Sequence, residues 1–169
     1  MLFKLQDGRD TPILGNMADK EDINYVVRNR KARHDYTIQE TFEAGIELKG
    51  SEVKSLRDGK ANMSDAYALI ENGQVLLRNL NITPYKMSSD QPDPIRPRRL
   101  LLHSRQISKL ATETDQKGKT LIPLSIYFKG KLAKVELAIA VGRKKYDKRE
   151  AIAKAESERR IRRALRKDI

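Results

Sequence analysis

The C-terminal segment from Arg143 to Ile169 sets the strongest limit on what this chain can fold into. It holds neither proline nor glycine, and its 12 Lys or Arg outnumber its 5 Asp or Glu, so a net +7 of the chain's +12 lies here. Ordering a residue costs roughly 1 to 2 kcal/mol of backbone entropy, and this segment has few apolar side chains to offset that cost. We therefore expect residues 143–169 to be disordered when free and to become ordered against a polyanion.

The same segment is nevertheless capable of forming a helix. Asp147 followed three residues later by Glu150 is typical of a helix start. Glu156/Arg160 and Glu158/Arg162 are spaced four apart, and each such pair contributes about 0.2 to 0.5 kcal/mol. The helix is thus predicted to be conditional and marginal in isolation.

The composition of the chain indicates one modest globular body with charged extensions. The 169 residues include no cysteine, which excludes disulfide bonds and thiolate metal sites. No apolar run approaches the roughly 20 residues that span a bilayer. We expect a cytoplasmic, monomeric protein with no membrane segment, metal or other cofactor.

Three segments are predicted along the chain. Residues 1–24 form an N-terminal extension that we expect to be disordered, and Met17 within it resembles a natural translation start, which would make residues 1–16 an upstream addition. Residues 25–142 form the folded body, and residues 143–169 form the basic tail.

The body is predicted to be mainly β. A first strand is expected at about Asp35 to Phe42, with a bulge or sharp bend at Ala44-Gly45 before Ile46 to Leu48 resumes the alternation. Two further strands flank Asn72-Gly73, a strong hairpin signal because both residues adopt positive φ readily.

Helices and the last strands complete this fold. Ser51 and Ser104 are predicted to cap two short helices, and prolines make residues 83–99 a long loop. Two final strands are expected at Thr120 to Phe128 and Leu132 to Val141. Short strands with an inserted helix and no βαβ rhythm predict a small closed barrel of the OB type with two or three short helices.

Catalysis is poorly supported, and nucleic-acid binding is favoured. The only histidines, His34 and His103, lie in no hydrolase or metalloprotease motif, and no phosphate-binding glycine loop is present. The basic residues form four separate clusters: Arg28 to Arg33, Arg96 to Arg99, Lys129 to Lys134, and the tail. One cluster alone would indicate a solvated face, but four on a chain of net charge +12 favour nucleic acid.

Aromatic residues are too few to form the stacking surface with which many proteins bind single-stranded nucleic acid. They make up 5% of the chain, with no tryptophan, so base stacking across a sheet is disfavoured. Contacts to phosphates and to RNA shape are favoured instead.

Five ordered blocks of sequence resemble the small protein B family, the SsrA-binding proteins of bacteria. The blocks are NRKARHDY from Asn29, GSEVKSLR from Gly50, NITPY from Asn81, RRLLLH from Arg98 and GRKKYDKR from Gly142. The resemblance implies an OB-type barrel that binds the tRNA-like domain of transfer-messenger RNA (tmRNA, SsrA RNA). It also implies delivery of that RNA to stalled ribosomes for trans-translation, which is ribosome rescue with peptide tagging, and no enzymatic activity.

The resemblance and the basic clusters together assign the site residues. Glu43, Leu101 and His103 match positions that contact the tRNA-like domain, and Lys54 and Arg57 lie in a matching block. The basic clusters add Arg33, Arg99, Lys129, Lys131 and Lys134 to this RNA-binding set.

A second set is expected to contact the ribosome near the decoding centre and in the empty messenger channel, where the tail would become helical. Asp147, Lys148 and Arg149 match the hallmark triplet of the family, and Tyr146 stands where some relatives have histidine. The full set is His34, Arg143, Lys144, Lys145, Tyr146, Asp147, Lys148 and Arg149. Elongation factor Tu and alanyl-charged tmRNA are the implied companions.

Two other classes remain open on the sequence. A structural ribosomal protein would share the basic tail and the small barrel, and it would stay permanently bound to rRNA. A generic cold-shock-like binder of single strands is disfavoured by the scarcity of aromatic residues and by the long tail.

Overall fold

The computed structural model of the chain describes residues 23–143 and 145–167. The predicted N-terminal extension as far as residue 22, Met17 included, lies outside the described residues, as does Lys144.

The described chain is mainly antiparallel β with four helices. The strands are β1 Ile23–Arg28, β2 Tyr36–Ile46, β3 Ala61–Asn62, β4 Tyr67–Glu71, β5 Gln74–Arg78, β6 Asn81–Ile82, β7 Arg98–Leu101, β8 Lys119–Lys129 and β9 Leu132–Gly142. The helices are α1 Arg30–Asp35, α2 Gly50–Arg57, α3 Ser104–Thr114 and α4 Lys145–Lys167.

The strand pairings form a nearly closed ring. The seven-stranded sheet has the order β1-β8-β4-β5-β7-β2-β9, and β8 also pairs with β9. The link between β4 and β8 is one register pair, Ala68 with Leu121. β3 and β6 form a separate two-stranded sheet.

Several predicted elements are confirmed by the structure. The hairpin between β4 and β5 turns at Asn72 and Gly73, whose φ angles are 50° and 71°. The final strands β8 and β9 turn at Gly130, which also has a positive φ, of 60°. α2 and α3 occur where expected, but α2 begins two residues and α3 one residue earlier than predicted, with Lys49 and His103 in the cap positions instead of Ser51 and Ser104.

The predicted bulge at Ala44-Gly45 is wrong. β2 is continuous from Tyr36 to Ile46, and its register against β9 shifts between Ile38 and Glu40. Glycine is favoured at position 45 for a different reason, since a Cβ there would lie 3.2 Å from the Cβ of Leu101 on β7, a tight contact. Glycine thus permits the close approach of β2 and β7.

β1 and α1 were not predicted. β1 lies antiparallel to β8, and it begins two residues before the expected start of the body. The buried Asn29 connects β1 to α1: its Oδ1 accepts from the Ala32 N–H at 2.9 Å, and its Nδ2 donates to the carbonyls of Met63 and Pro123. Of the basic cluster Arg28 to Arg33, Arg28 therefore lies on β1, and Arg30, Lys31 and Arg33 lie on α1.

Two apolar clusters stabilise the fold. The larger one includes Leu137 and Ile139 of β9, and the smaller one includes Ala138 and Ala140, which α1 covers through Ala32. Adjacent strand residues point to opposite faces, so β9 contributes to both clusters. In β8 the register shift between Pro123 and Ser125 exchanges the two faces along the strand.

α4 occupies most of the basic tail. The side chains of residues 152–163 within it are exposed. Among the described helices, none combines the length and apolar character that a membrane crossing needs.

Candidate nucleic-acid interface

Four of the predicted RNA-binding residues line one depression of about 440 Å³. Glu43 comes from β2, Leu101 from β7 and Lys134 from β9, and His103 is the N-cap of α3. They meet because β2 pairs with β9 along most of its length and with β7 near its C-terminal end. α3 follows β7 directly in the chain, which brings His103 to the same place. Gly45, Leu102 and Gln106 complete the lining.

The Glu43 carboxylate is held by two partners. The Tyr127 hydroxyl donates to Oε2 at 2.6 Å, and the Lys134 Nζ lies 3.3 Å from Oε1. The Tyr127 hydrogen bond, aided by Lys134, lowers the pKa of Glu43 against the opposing effect of partial burial. Glu43 is therefore an ionised hydrogen-bond acceptor at neutral pH.

Tyr127 is a protonated donor. Burial and the adjacent Glu43 carboxylate raise the pKa of its phenol well above the usual range. Its ring contacts that of Tyr25 at a centroid distance of 5.4 Å, and the Arg28 guanidinium lies 4.2 Å from the Tyr25 ring centroid.

A second carboxylate lies beside Glu43 with its own partners. Glu136 of β9 is the cross-strand neighbour of Glu43. Its Oε2 accepts from the Ser125 hydroxyl at 2.8 Å and lies 3.6 Å from the Arg33 guanidinium. Arg33 is thereby placed on the same outer surface as the depression.

An apolar depression of about 300 Å³ adjoins the first one. Leu101 is common to both, and Leu132, which is 65% exposed, lies at its margin. The Arg57 guanidinium lies 4.9 Å from the ring centroid of Phe128, which also lines this depression. Lys54, on the same helix, lies over Tyr85 at 5.6 Å.

The remaining predicted RNA-binding residues are Arg99, Lys129 and Lys131. Arg99 of β7 pairs with Glu47, its Nε lying 2.9 Å from Oε2. Lys129 and Lys131 flank Gly130 in the turn between β8 and β9, and Lys131 lines the apolar depression. Five of the ten predicted tRNA-like-domain residues thus line the two adjoining depressions: Glu43, Leu101, His103, Lys131 and Lys134.

One basic cluster does not form the expected cationic surface. Arg98 is completely buried, and Arg96 and Arg98 both donate to the carboxylate of Glu52. Arg99 is the most exposed of these three arginines, and its partner Glu47 is exposed as well. The interpretation of Arg98 as surface charge is wrong, because the distant Glu52 allows this arginine to be buried. Arg96 is partly exposed, and it shares the same carboxylate.

Two of the predicted ribosome-contacting residues, His34 and Arg143, lie at the other end of the β2/β9 pair. The Arg143 N–H donates to the Asp35 carbonyl at 2.9 Å, and His34 Nδ1 lies 3.0 Å from Asp35 Oδ1. Tyr36 and Glu43 are seven residues apart on β2, a separation of roughly 23 Å at 3.3 Å per residue. Lys144, and the side chains of residues 145–149, are not part of the described structure.

Sequence reasoning missed the partners that hold this site. Tyr127, Gln106 and Glu136 were not singled out, because their roles depend on strand register and on a helix start that no local pattern reveals. Within the described ranges, no group of three or more His, Asp or Glu is arranged to hold a metal ion.

Comparison with known proteins identifies the family. The family model described as "SmpB protein" matches residues 26–167. The SsrA-binding protein of Halothermothrix orenii is 53% identical over 148 residues, which cover 87% of this chain and 96% of that protein. The SsrA-binding protein of Caldicellulosiruptor bescii is 54% identical over 148 residues, covering 87% and 94%.

A solved structure shows the same fold. It is described as "tmRNA-SmpB: a journey to the center of the bacterial ribosome", and it matches with a TM-score of 0.62 and 49% identity over 75% of this chain and 93% of that one. On the family match and on these identities, the chain belongs to the SmpB protein family.

Proposed function

We propose that the protein binds the tRNA-like domain of tmRNA through the surface around Glu43, Leu101, His103 and Lys134, and delivers that RNA to stalled ribosomes for trans-translation. The observation that carries the proposal is the convergence of these four residues, from separate elements, on one depression. The relatives are named SsrA-binding proteins, and the similar solved structure concerns tmRNA and the bacterial ribosome. As a member of the SmpB family, the protein is a non-enzymatic RNA-binding protein.

The chemistry of the surface suits folded RNA. Lys54, Arg57, Lys129 and Lys131 supply cations for phosphates, which fix position without reading sequence. Glu43 repels phosphates and accepts hydrogen bonds, so it suits a 2′-hydroxyl or a base N–H group. Exposed Leu101 supplies an apolar contact between them.

The tail is proposed as a separate ribosome-contacting module. Residues 152–163 bury no side chain against the folded body, which supports a tail that is disordered when free and becomes helical in the empty messenger channel. An occupied channel would exclude it sterically and electrostatically. His34 and Arg143 lie at the start of the tail, where they could contact rRNA near the decoding site.

The nearly closed ring of strands supports the finer assignment of a closed OB-type barrel. The remaining parts of the proposal are a cytoplasmic monomer and a complex with alanyl-charged tmRNA and elongation factor Tu.

RNA binding tests this function. Affinity for a transcript of the tRNA-like domain is measured across a range of salt for the wild type, Glu43→Gln and His103→Ala. Both variants should bind more weakly than wild type, and the wild-type log K should fall with log salt by about 0.7 to 0.9 per phosphate contact. Glu71→Gln removes a carboxylate that pairs with Arg78 in the β4–β5 hairpin and serves as the matched control. Equal affinity of all four proteins would contradict the proposed site.

A further inference from the structure

Tyr127 reaches the Glu43 carboxylate across an intervening strand. Tyr127 lies on β8 opposite Lys134 of β9, and β9 in turn pairs with β2, which carries Glu43. Two strand spacings separate β8 from β2, about 9.5 Å in a flat sheet. The phenol and the glutamate side chain together span this distance and meet at 2.6 Å.

The ring of Tyr127 is fixed before any ligand binds. Only 7% of the residue is exposed, and its ring is in contact with Tyr25, which is itself covered by the guanidinium of Arg28. A buried donor locked in one position fixes its acceptor at little further entropic cost. The hydrogen bond therefore determines where the Glu43 carboxylate lies, and not the reverse.

Without that bond, the Glu43 carboxylate would have another stable position. Lys134 Nζ lies 3.3 Å from Oε1 and is mostly buried, so it could attract both carboxylate oxygens. The neighbouring Glu136 takes Arg33 and Ser125 as its own partners, and it offers Glu43 only like-charge repulsion. Tyr127 opposes collapse of Glu43 onto Lys134.

We propose that Tyr127 is a positioning residue for RNA binding, which holds Glu43 Oε2 so that the carboxylate presents Oε1 to a hydrogen-bond donor of the RNA. The inference rests on the proposed function of the Glu43 surface. The RNA group is a 2′-hydroxyl or a base amino or imino N–H, because an ionised carboxylate accepts hydrogen bonds and repels phosphate oxygens. Tyr127 does not itself touch the RNA.

A double-mutant cycle in the full chain tests this role. Affinity for the tRNA-like transcript is measured for wild type, Tyr127→Phe, Glu43→Gln and the double variant. Tyr127→Phe keeps the ring and removes the donor, and we expect it to weaken binding about tenfold, in line with the loss of a hydrogen bond to a charged group. In the Glu43→Gln background the same change should have no further effect, since Tyr127 acts only through Glu43.

Two controls separate positioning from general damage. The salt slope of log K should be the same for Tyr127→Phe as for wild type, because no phosphate contact is lost. Tyr67→Phe, which removes the hydroxyl of a half-exposed tyrosine on β4, should bind as wild type does. In a Glu43→Asp background, where the carboxylate is withdrawn from Tyr127 by one methylene, Tyr127→Phe should likewise have no further effect.

Each outcome is decisive. Equal losses from Tyr127→Phe in both backgrounds would overturn the inference and leave Tyr127 a structural residue, and so would wild-type affinity for Tyr127→Phe. If Glu43→Gln itself bound as tightly as wild type, the proposed RNA-binding site at Glu43 would be wrong. That result differs from the two above, which contradict only the positioning role of Tyr127.

Discussion

Glu52 and Arg98 form a buried ion pair that connects α2 to β7. Glu52 Oε1 accepts from Arg98 Nε at 3.0 Å and from Nη2 at 2.8 Å, and the two side chains are 3% and 0% exposed. Arg98 Nη1 also donates to the Leu80 carbonyl at 2.6 Å, and Arg96 donates to the same carboxylate. Because α2 carries Lys54 and Arg57 and β7 carries Leu101, this pair aligns two parts of the proposed RNA-binding surface.

Removal of Arg98 should strongly destabilise the fold. Arg98→Met leaves the buried Glu52 carboxylate with fewer partners, and we expect a loss of about 3 to 5 kcal/mol in the free energy of unfolding. The adjacent Arg99→Met breaks an exposed pair with Glu47 and should cost about 1 kcal/mol or less. Urea denaturation of the two variants measures the difference, and equal losses would show that the buried pair has no special role.

Acid should weaken the fold through Glu52. Burial alone would raise the pKa of Glu52, but hydrogen bonds from Arg96 and the Lys49 N–H, together with the charge of Arg98, lower it overall. A group whose pKa is lowered on folding contributes its stability above the unfolded value of about 4.3, and that stability is lost as the pH falls through the folded pKa.

Glu52→Gln should therefore flatten the dependence of unfolding free energy on pH below about 4.3, while lowering stability at pH 7. Urea midpoints measured from pH 7 down to pH 3 test this. A Glu52→Gln curve parallel to the wild-type curve throughout would show that other carboxylates account for the acid sensitivity.

Local signals predicted the parts of the fold that depend on neighbouring residues. The Asn72-Gly73 hairpin and the β8–β9 pair were predicted because turn residues and alternation lie within a few positions of each other. β1 and β7 were missed because each depends on strands that are distant in sequence. β1 pairs with β8, and β7 pairs with β2 and β5. Arg98 in β7 resembles a loop residue until Glu52, 46 positions away, is placed beside it.

The residues of the candidate site also divide into those that the sequence revealed and those that depend on distant contacts. Glu43, Leu101 and His103 were assigned by family resemblance, which local chemistry could not have supplied. Tyr127 carries no motif, and its bond to Glu43 joins residues 84 positions apart. Membership in the SmpB family also decides against the alternatives of a structural ribosomal protein and a cold-shock-like binder.

Two glycines should respond oppositely to alanine. Gly73 has a φ of 71°, a conformation that costs an L-residue about 1 to 2 kcal/mol, so Gly73→Ala should lower the unfolding free energy by that amount. Gly50 opens α2, and a Cβ there would meet no atom within 4 Å. Gly50→Ala should therefore stabilise by about 0.4 to 1 kcal/mol, chiefly through the unfolded state. Thermal unfolding compares the pair, and a stabilising Gly73→Ala would contradict the assigned turn geometry.

Truncation after Arg143 should separate RNA binding from ribosome function. Arg143 is retained because its N–H donates to the Asp35 carbonyl, and residues 152–163 of the removed segment bury no side chain in the body. We expect unchanged thermal stability and nearly wild-type affinity for the tRNA-like transcript, with peptide tagging on stalled ribosomes reduced to background. A full-length variant with Arg159, Arg160, Arg162 and Arg163 changed to Gln keeps the chain length and tests whether charge alone is required. If truncation weakened RNA binding as much as tagging, the tail and the folded body would form one binding unit, and the proposed division of roles would be wrong.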